Sequence, residues 1–292
     1  MRIVRTVREL RETVAAARAG GSTVALVPTM GALHEGHLSL VRAARAEHGF
    51  VVMSIFVNPK QFNEASDLAA YPRQEERDAA LAEAAGVDLV FAPEAAELYP
   101  EGFATTVHVS GPITETLEGA NRGAVHFDGV ATVVSKLLIA ATPDAAYFGQ
   151  KDAQQIVVVR RMVADLGIPT RIVACPTSRD DDGLARSSRN VRLSAEERSR
   201  ALAIPRALEA IAAAAAEGEA DPVALRARGE AVLEGAGVDP EYLAFVDPDT
   251  LEAVPRVSEP TLCAVAARVG EVRLIDNVLL GVAPEQREES VK

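Results

Sequence analysis

Short apolar runs alternate with amphipathic stretches through the first half of the chain, and this alternation limits the fold more than any other feature. "TVALVPT" (23–29), "FVVMSIFVN" (50–58), "VDLVFAP" (87–93), "AAYFG" (145–149) and "TRIVACP" (170–176) are near-continuous apolar runs of strand length. Between them, 6–19, 36–48, 73–85, 126–140 and 152–166 have the composition and periodicity of helices. A strand that is apolar throughout is buried on both faces, and a helix between successive strands makes a right-handed crossover. The pattern therefore predicts an α/β fold, a parallel sheet covered on both sides. In such sheets ligands collect at the carboxyl edge of the strands.

After Arg179 the texture changes. A long alanine-rich helix is predicted over 195–217 and a second near 221–235, followed by the strand-like pieces "EYLAFVD", "TLCAVAARV" and "EVRLIDNVLL". Helices grouped before strands read as a smaller α+β domain. The charged turn "RDDDG" (179–183) divides the two textures, so the expected domains are 1–178 and 179–292, in keeping with a length of 292 residues. The final "APEQREESVK" reads as a frayed tail.

Thirty basic residues against forty-two acidic ones give a net charge of -12, which argues against a chain that holds nucleic acid by displacing counterions. A local basic pocket for a nucleotide is still compatible with that balance. Cys175 and Cys263 are the two cysteines and form no CxxC pair, so neither a disulfide framework nor a structural zinc site is expected, and a reducing cytosol fits. No uncharged stretch approaches the roughly 18–20 residues that span a bilayer, and "MRIVRTVREL" lacks the apolar segment of a secretory signal. The expectation is a soluble, cytoplasmic protein without a membrane partner.

"VPTMGALHEGHLSL" (27–40) places His34 and His37 beside Gly31 and Gly36, just after an apolar run. A zincin pair needs histidines four apart on a helix, and here they are three apart with no further ligand cluster. The glycine spacing matches a Walker A loop, but His37 and Leu38 occupy the lysine and serine/threonine positions. What remains is a strand, a glycine turn and a helix start whose unpaired amides and dipole favour an anion, with imidazoles at i and i+3 on one side of the first turn. An ordinary turn with incidental histidines is the alternative.

Three further segments have the same character. "FVNPKQF" offers the amides of Asn58 and Gln61 at a strand end, suited to a small substrate carrying a carboxylate and hydroxyls. "AYFGQKDAQQ" repeats the strand, glycine and helix pattern: Gly149 permits close backbone approach, Asp152 is a helix-cap candidate, and Gln155 lies one turn further on. Lys151 at a helix start opposes the dipole, which points to a bound anion. "GLARSSRN" collects Arg186, Ser187, Ser188 and Arg189, either a phosphate clamp or a solvated serine turn. "HFDGVATVVSKLL" reads mainly as structure, with Val130, Val133, Val134 and Leu137 as a buried stripe, and His48 and His108 as packing or surface residues.

Together, "PTMGALHEGH", "FVNPKQF", "DLAAYPR", "HFDGVATVVSKLL", "YFGQKDAQQ" and "DGLARSSRN" resemble the pantothenate synthetase family, in its order, over roughly Pro28 to Asn190. The HxGH element alone is shared with class I aminoacyl-tRNA synthetases and other nucleotidyltransferases. The resemblance implies a Rossmann-like N-terminal domain with a C-terminal lid. It implies ATP-dependent condensation of (R)-pantoate with β-alanine through a pantoyl-adenylate, with Mg²⁺ on the phosphates, in a cytoplasmic homodimer. Carried over by motif, ATP contacts fall on Pro28, Thr29, Met30, Gly31, Ala32, Leu33, His34, Glu35, Gly36 and His37. They continue at Gly149, Gln150, Lys151, Asp152 and Ser178, and at Arg186, Ser187, Ser188 and Arg189. His37 is then the proton donor, His34 its phosphate-binding companion, and Lys151 and Arg189 neutralise charge. Gln61 contacts pantoate and β-alanine, Gln155 contacts pantoate, and Asn58 belongs with them. No residue is assigned to the metal. Arg186, Ser178 and Asp128 depart from the family's commonest residues, and Arg186 adds charge near the phosphates.

Two other functions fit parts of this pattern. A nucleotidyltransferase acting on a phosphorylated substrate would need more basic residues beside the amide loop than Lys60. A non-catalytic nucleotide sensor would bind ATP without releasing pyrophosphate.

Overall fold

A computed structural model describes residues 1–63, 65–258 and 260–281, and "APEQREESVK" lies outside them. The chain divides into two compact units, Met1–Gly149 with Val158–Cys175, and Gln150–Val157 with Pro176–Lys292.

The first unit runs β1 (Arg2–Val4), α1 (Val7–Ala19), β2 (Val24–Thr29), α2 (Glu35–Glu47), β3 (Phe50–Ile55), α3 (Ala65–Ala70), α4 (Glu75–Ala84), β4 (Leu89–Phe91) and α5 (Ala95–Leu98). It continues through α6 (Pro112–Glu115), α7 (Glu118–Arg122), α8 (Ala124–Ala141), β5 (Ala145–Gly149), the latter part of α9 (Ala153–Asp165) and β6 (Arg171–Cys175). The strands form one parallel sheet in the order β1-β4-β3-β2-β5-β6. Val24, Val27, Val51, Val52, Met53, Leu89 and Val90 are fully shielded, as the uninterrupted apolar runs require of strands covered on both faces. The chain leaves β2 for β3 on one side and later enters β5 on the other. The sheet therefore reverses its winding between β2 and β5, the position where α/β sheets open a crevice at their carboxyl edge. Strand β1 escapes sequence reading because three residues are too few to show a period.

The second unit contains α10 (Ala195–Ala201), α11 (Ala203–Ala216), α12 (Pro222–Gly235) and an antiparallel sheet of β7 (Pro240–Val246), β8 (Thr261–Val269) and β9 (Val272–Leu280). Ile204, Leu208 and Ile211 of α11 share its core with Leu225, Leu233, Phe245 and Val265. The α/β and α+β classes are those expected. The predicted 195–217 helix is two, broken at Leu202. Pro205 has no N–H to return to the carbonyl of Ala201, so the helix ends and restarts with proline in its first turn, where the missing donor matters least. Gln150–Val157, which the sequence places before the 178/179 division, groups with this second unit.

Candidate active site

The loop after β2 is built around buried polar groups. Thr29 donates its hydroxyl to the carbonyl of Ser54 at 2.7 Å and accepts the Gly31 amide at 3.2 Å. Gly31 has φ +81°, and a Cβ there would lie 3.0 Å from Asp78 Oδ2 and 3.2 Å from Ile55 Cγ2. Ala32 follows at φ +49°, a conformation that a non-glycine residue holds only when its surroundings impose it. Asp78, from α4, does so: Oδ2 accepts the Ala32 amide at 2.7 Å and Oδ1 the Leu33 amide at 2.8 Å. Only 1% of Asp78 is exposed. The sequence reading missed it, and its signal was a carboxylate on the buried side of an acidic helix.

His34 is the N-cap of α2, with extended backbone at φ −138° and ψ 173°. Its Nδ1 accepts the Gly36 amide at 3.1 Å, while His37 Nδ1 accepts the His34 amide at 3.3 Å. This is a reciprocal capping box written in imidazole rather than in serine and glutamate. Because both Nδ1 atoms accept, each neutral ring carries its proton on Nε2, which makes Nε2 a donor. The ring centroids are 4.1 Å apart. Leu33 is buried and offers only main chain, and the Glu35 carboxylate pairs with Arg42. Pro28 and Thr29 end β2. Gly149 ends β5 at the same edge, each strand end four residues beyond the paired Ala25 and Ala145.

Gln61 closes a single 3₁₀ turn, Pro59–Gln61, after β3. Asn58 beneath it is 1% exposed. The Asn58 side-chain carbonyl accepts the Lys60 amide at 3.3 Å and the Tyr99 hydroxyl at 2.7 Å. Its amino group donates to Gln61 Oε1 and to the carbonyl of Gly129, both at 3.0 Å. Both donors and both acceptor positions of Asn58 are thus used inside the protein. Offered to substrate by the sequence, its side chain is here engaged within the protein and holds Gln61, whose Nε2 donates to Met30 Sδ at 2.9 Å. Burial pushes the Tyr99 hydroxyl pKa well up, so it stays a donor to Asn58.

Helix α8 is the bed of this turn. His126 Nδ1 donates to the Gln61 carbonyl at 2.8 Å, and a Cβ on Gly129 would fall 2.3 Å from the Lys60 carbonyl oxygen. Val130, Val133, Val134 and Leu137 are buried, the expected stripe.

In the second unit, Gln150–Asp152 forms another 3₁₀ turn, with Lys151 Nζ 3.5 Å from Asp152 Oδ2. Gln155 follows, half-buried in the first turn of α9. Ser178 accepts the Arg186 amide through its carbonyl at 2.9 Å. The Arg186 guanidinium turns inward, donating to the Arg179 carbonyl at 2.9 Å and lying 3.3 Å from Asp180. Its charge is therefore balanced within the hairpin. Ser187 accepts the Arg189 amide at 3.2 Å and caps the turn Ser188–Arg192. Lys151, Ser187 and Arg189 line one small cavity together with Arg273 and Asp276. The sequence reading did not single out Arg273 or Asp276, which sit in a strand without any motif.

Burial pushes the Cys175 thiol up to about 11 and the Cys263 thiol up to about 12, so neither is a nucleophile near neutral pH. Among the described residues, no group of three or more His, Cys, Asp or Glu side chains could hold a metal ion. Among them, no helix is long and apolar enough to cross a membrane.

The family profile described as pantoate-β-alanine ligase matches residues 2–279. A pantothenate synthetase of Rhizorhabdus wittichii is 53% identical over 285 residues, covering 97% of this chain and 100% of the relative. One from Roseiflexus castenholzii is 52% identical over 281 residues, covering 96% and 99%. The crystal structure of the pantothenate synthetase of Thermus thermophilus superposes with TM-score 0.89 at 51% identity, covering 95% of this chain and 99% of that one. A pantoate-β-alanine ligase of Francisella tularensis, solved in complex with beta-gamma ATP and beta-alanine, gives TM-score 0.79 at 32% identity, covering 97% and 99%. With the paired histidines at the carboxyl edge of its sheet and relatives matched over nearly their whole length, the chain belongs to the pantoate-β-alanine ligase family.

Proposed function

We propose that the chain joins (R)-pantoate to β-alanine at the expense of ATP, releasing AMP and pyrophosphate, through a pantoyl-adenylate. The observation that carries this reading is the imidazole capping box. It commits both Nδ1 atoms to the helix start and leaves Nε2 of His34 and His37 as the protonated nitrogens. Imidazole N–H donors at a helix N-terminus suit the oxygens of a triphosphate. The Francisella relative, solved with a nucleotide and β-alanine, supports the same pair of ligands here.

A pantoate carboxylate oxygen attacks the α-phosphorus, a new O–P bond forms, and the bond to pyrophosphate breaks. Both partners are anionic, so the chain's task is to neutralise and align them. His34 and His37 donate from Nε2 to phosphate oxygens, with His37 the proton donor, and Lys151 and Arg189 balance further charge. The segments 28–37, 149–152, 178 and 186–189 form the nucleotide contacts. Gln61, held by Asn58 so that Nε2 is the presented donor, and Gln155 orient pantoate. The β-alanine amine then attacks the acyl carbon and AMP departs. ATP enters as its magnesium salt, since Mg²⁺ commonly rides on substrate phosphates and water rather than in an all-protein cage. The C-terminal domain, 179–292, serves as a lid that excludes water from the mixed anhydride. The working form is a cytoplasmic homodimer.

Exchange of labelled pyrophosphate into ATP tests the reading. It should require pantoate and proceed without β-alanine. ATP binding with no exchange would instead favour a nucleotide sensor, and exchange requiring a phosphorylated acceptor would favour a nucleotidyltransferase of another substrate. Sedimentation velocity checks the dimer.

A further inference from the structure

We propose that Asn277 on β9 is a positioning residue for Lys151, a role that rests on the reaction proposed above. Lys151 sits in a 3₁₀ turn of three residues, Gln150–Asp152, too short to be rigid by its own hydrogen bonds. Two main-chain carbonyls of that turn are taken by one side chain: Asn277 Nδ2 donates to Gln150 O at 2.9 Å and to Lys151 O at 3.0 Å. Asn277 is 6% exposed and paired in register with Ala264 of β8, so the donor stands on a buried strand rather than a loop. A lysine ammonium at the end of a flexible four-carbon stem is only as well placed as the main chain that carries it.

The preceding residue braces the other anion-facing segment. Asp276, 2% exposed, takes the Arg179 guanidinium in two bonds of 2.6 and 3.1 Å. Arg179 in turn bridges Ala185 across the hairpin that leads to Ser187 and Arg189. Asp276 also accepts the Asn277 amide at 2.8 Å, so the two anchors are themselves tied together. A primary amide suits 277, since its one nitrogen donates twice. A carboxylate would set an acceptor against two carbonyl oxygens, and an aliphatic side chain would leave both unpaired.

The test is a double-mutant cycle on pantoate-dependent pyrophosphate–ATP exchange with the full chain: wild type, Asn277→Ala, Lys151→Ala and the double variant. Asn277→Ala should lower exchange by about 10- to 100-fold, the scale of a misplaced catalytic group. In the Lys151→Ala background the same substitution should cost nothing further. Equal losses in both backgrounds, or an Asn277→Ala variant as active as wild type, would overturn the proposal. Asn277→Ser, which retains one donor, enters the same cycle if the alanine variant does not fold. Loss of fold in both makes Asn277 a stability residue and also overturns it. Wild type without pantoate-dependent exchange removes the functional reading itself, an outcome distinct from the others.

Discussion

Asp78 holds Leu33 by its main chain: one carboxylate oxygen accepts the Leu33 amide at 2.8 Å while the other takes that of Ala32 at 2.7 Å. An α4 side chain thereby sets the strained backbone immediately before His34. Asp78→Asn keeps the size but turns one acceptor into a donor facing an amide. The expected result is a loss of about 2 kcal/mol in urea melts, the scale of a hydrogen bond to a buried charged group. KM for ATP should rise more than KM for β-alanine, and equal changes in both would place the effect outside the histidine loop.

His34 caps α2, and the proposed reaction gives it a second, separable job as a phosphate donor. Asparagine is among the best N-caps but carries no imidazole. His34→Asn should therefore melt within about 2 °C of wild type, as a cap-for-cap exchange predicts, yet lose adenylation. His37→Ala should slow adenylate formation by about 10²- to 10⁴-fold. Single-turnover quench-flow measures both, and near-normal rates in the His37 variant would remove that ring from the reaction.

Gly129→Ala brings a Cβ to within 2.3 Å of the Lys60 carbonyl oxygen and 2.7 Å of the Gln61 amide nitrogen. Main-chain atoms have no rotamer with which to yield, so the turn must move and Gln61 with it. The expected cost is about 1–3 kcal/mol of stability, typical of overpacking, together with a raised KM for pantoate. Steady-state kinetics at saturating ATP reads the second effect.

His48 is buried against Tyr147, ring centroids 5.9 Å apart, and neither ring nitrogen has a hydrogen-bond partner among the described residues. Burial pulls its pKa below the usual 6.5; Glu47 opposes the shift, Arg171 adds to it, and Asp144 opposes it. The unfolded chain then binds a proton that the folded chain refuses. The contribution is complete above pH 6.5 and is lost as pH falls from there through the folded pKa. Urea melts at pH about 7.5 and about 5.5 should show the decline, and His48→Phe should flatten it. An unchanged slope in that variant would assign it to other groups.

Much of the fold was legible because it rests on local periodicity. Apolar runs without alternation predicted β2, β3, β4, β5 and β6 as doubly covered strands, and the glycine turns located the edge where ligands gather. The candidate residues His34, His37, Gln61 and Lys151 were also visible, since each lies in the segment that directly follows a strand end. The break at Leu202 was not read, although Pro205 marked it, because strong helix formers on both sides, Glu and Arg before it and alanine after it, favour one continuous helix.

What the chain alone determined was which residue types stand at the carboxyl edge. Which groups hold them was decided only by the tertiary structure. Asp78 reaches back 45 residues to Leu33, Gly129 meets Asn58 across 71, and Asn277 reaches Lys151 across 126. Sequence periodicity reports the face a residue presents to its own neighbours. A hydrogen bond between distant segments depends on how helices and strands dock, so the role of Asn58 as support for Gln61, and the hold of Asn277 on the lysine turn, emerge only once the chain is folded.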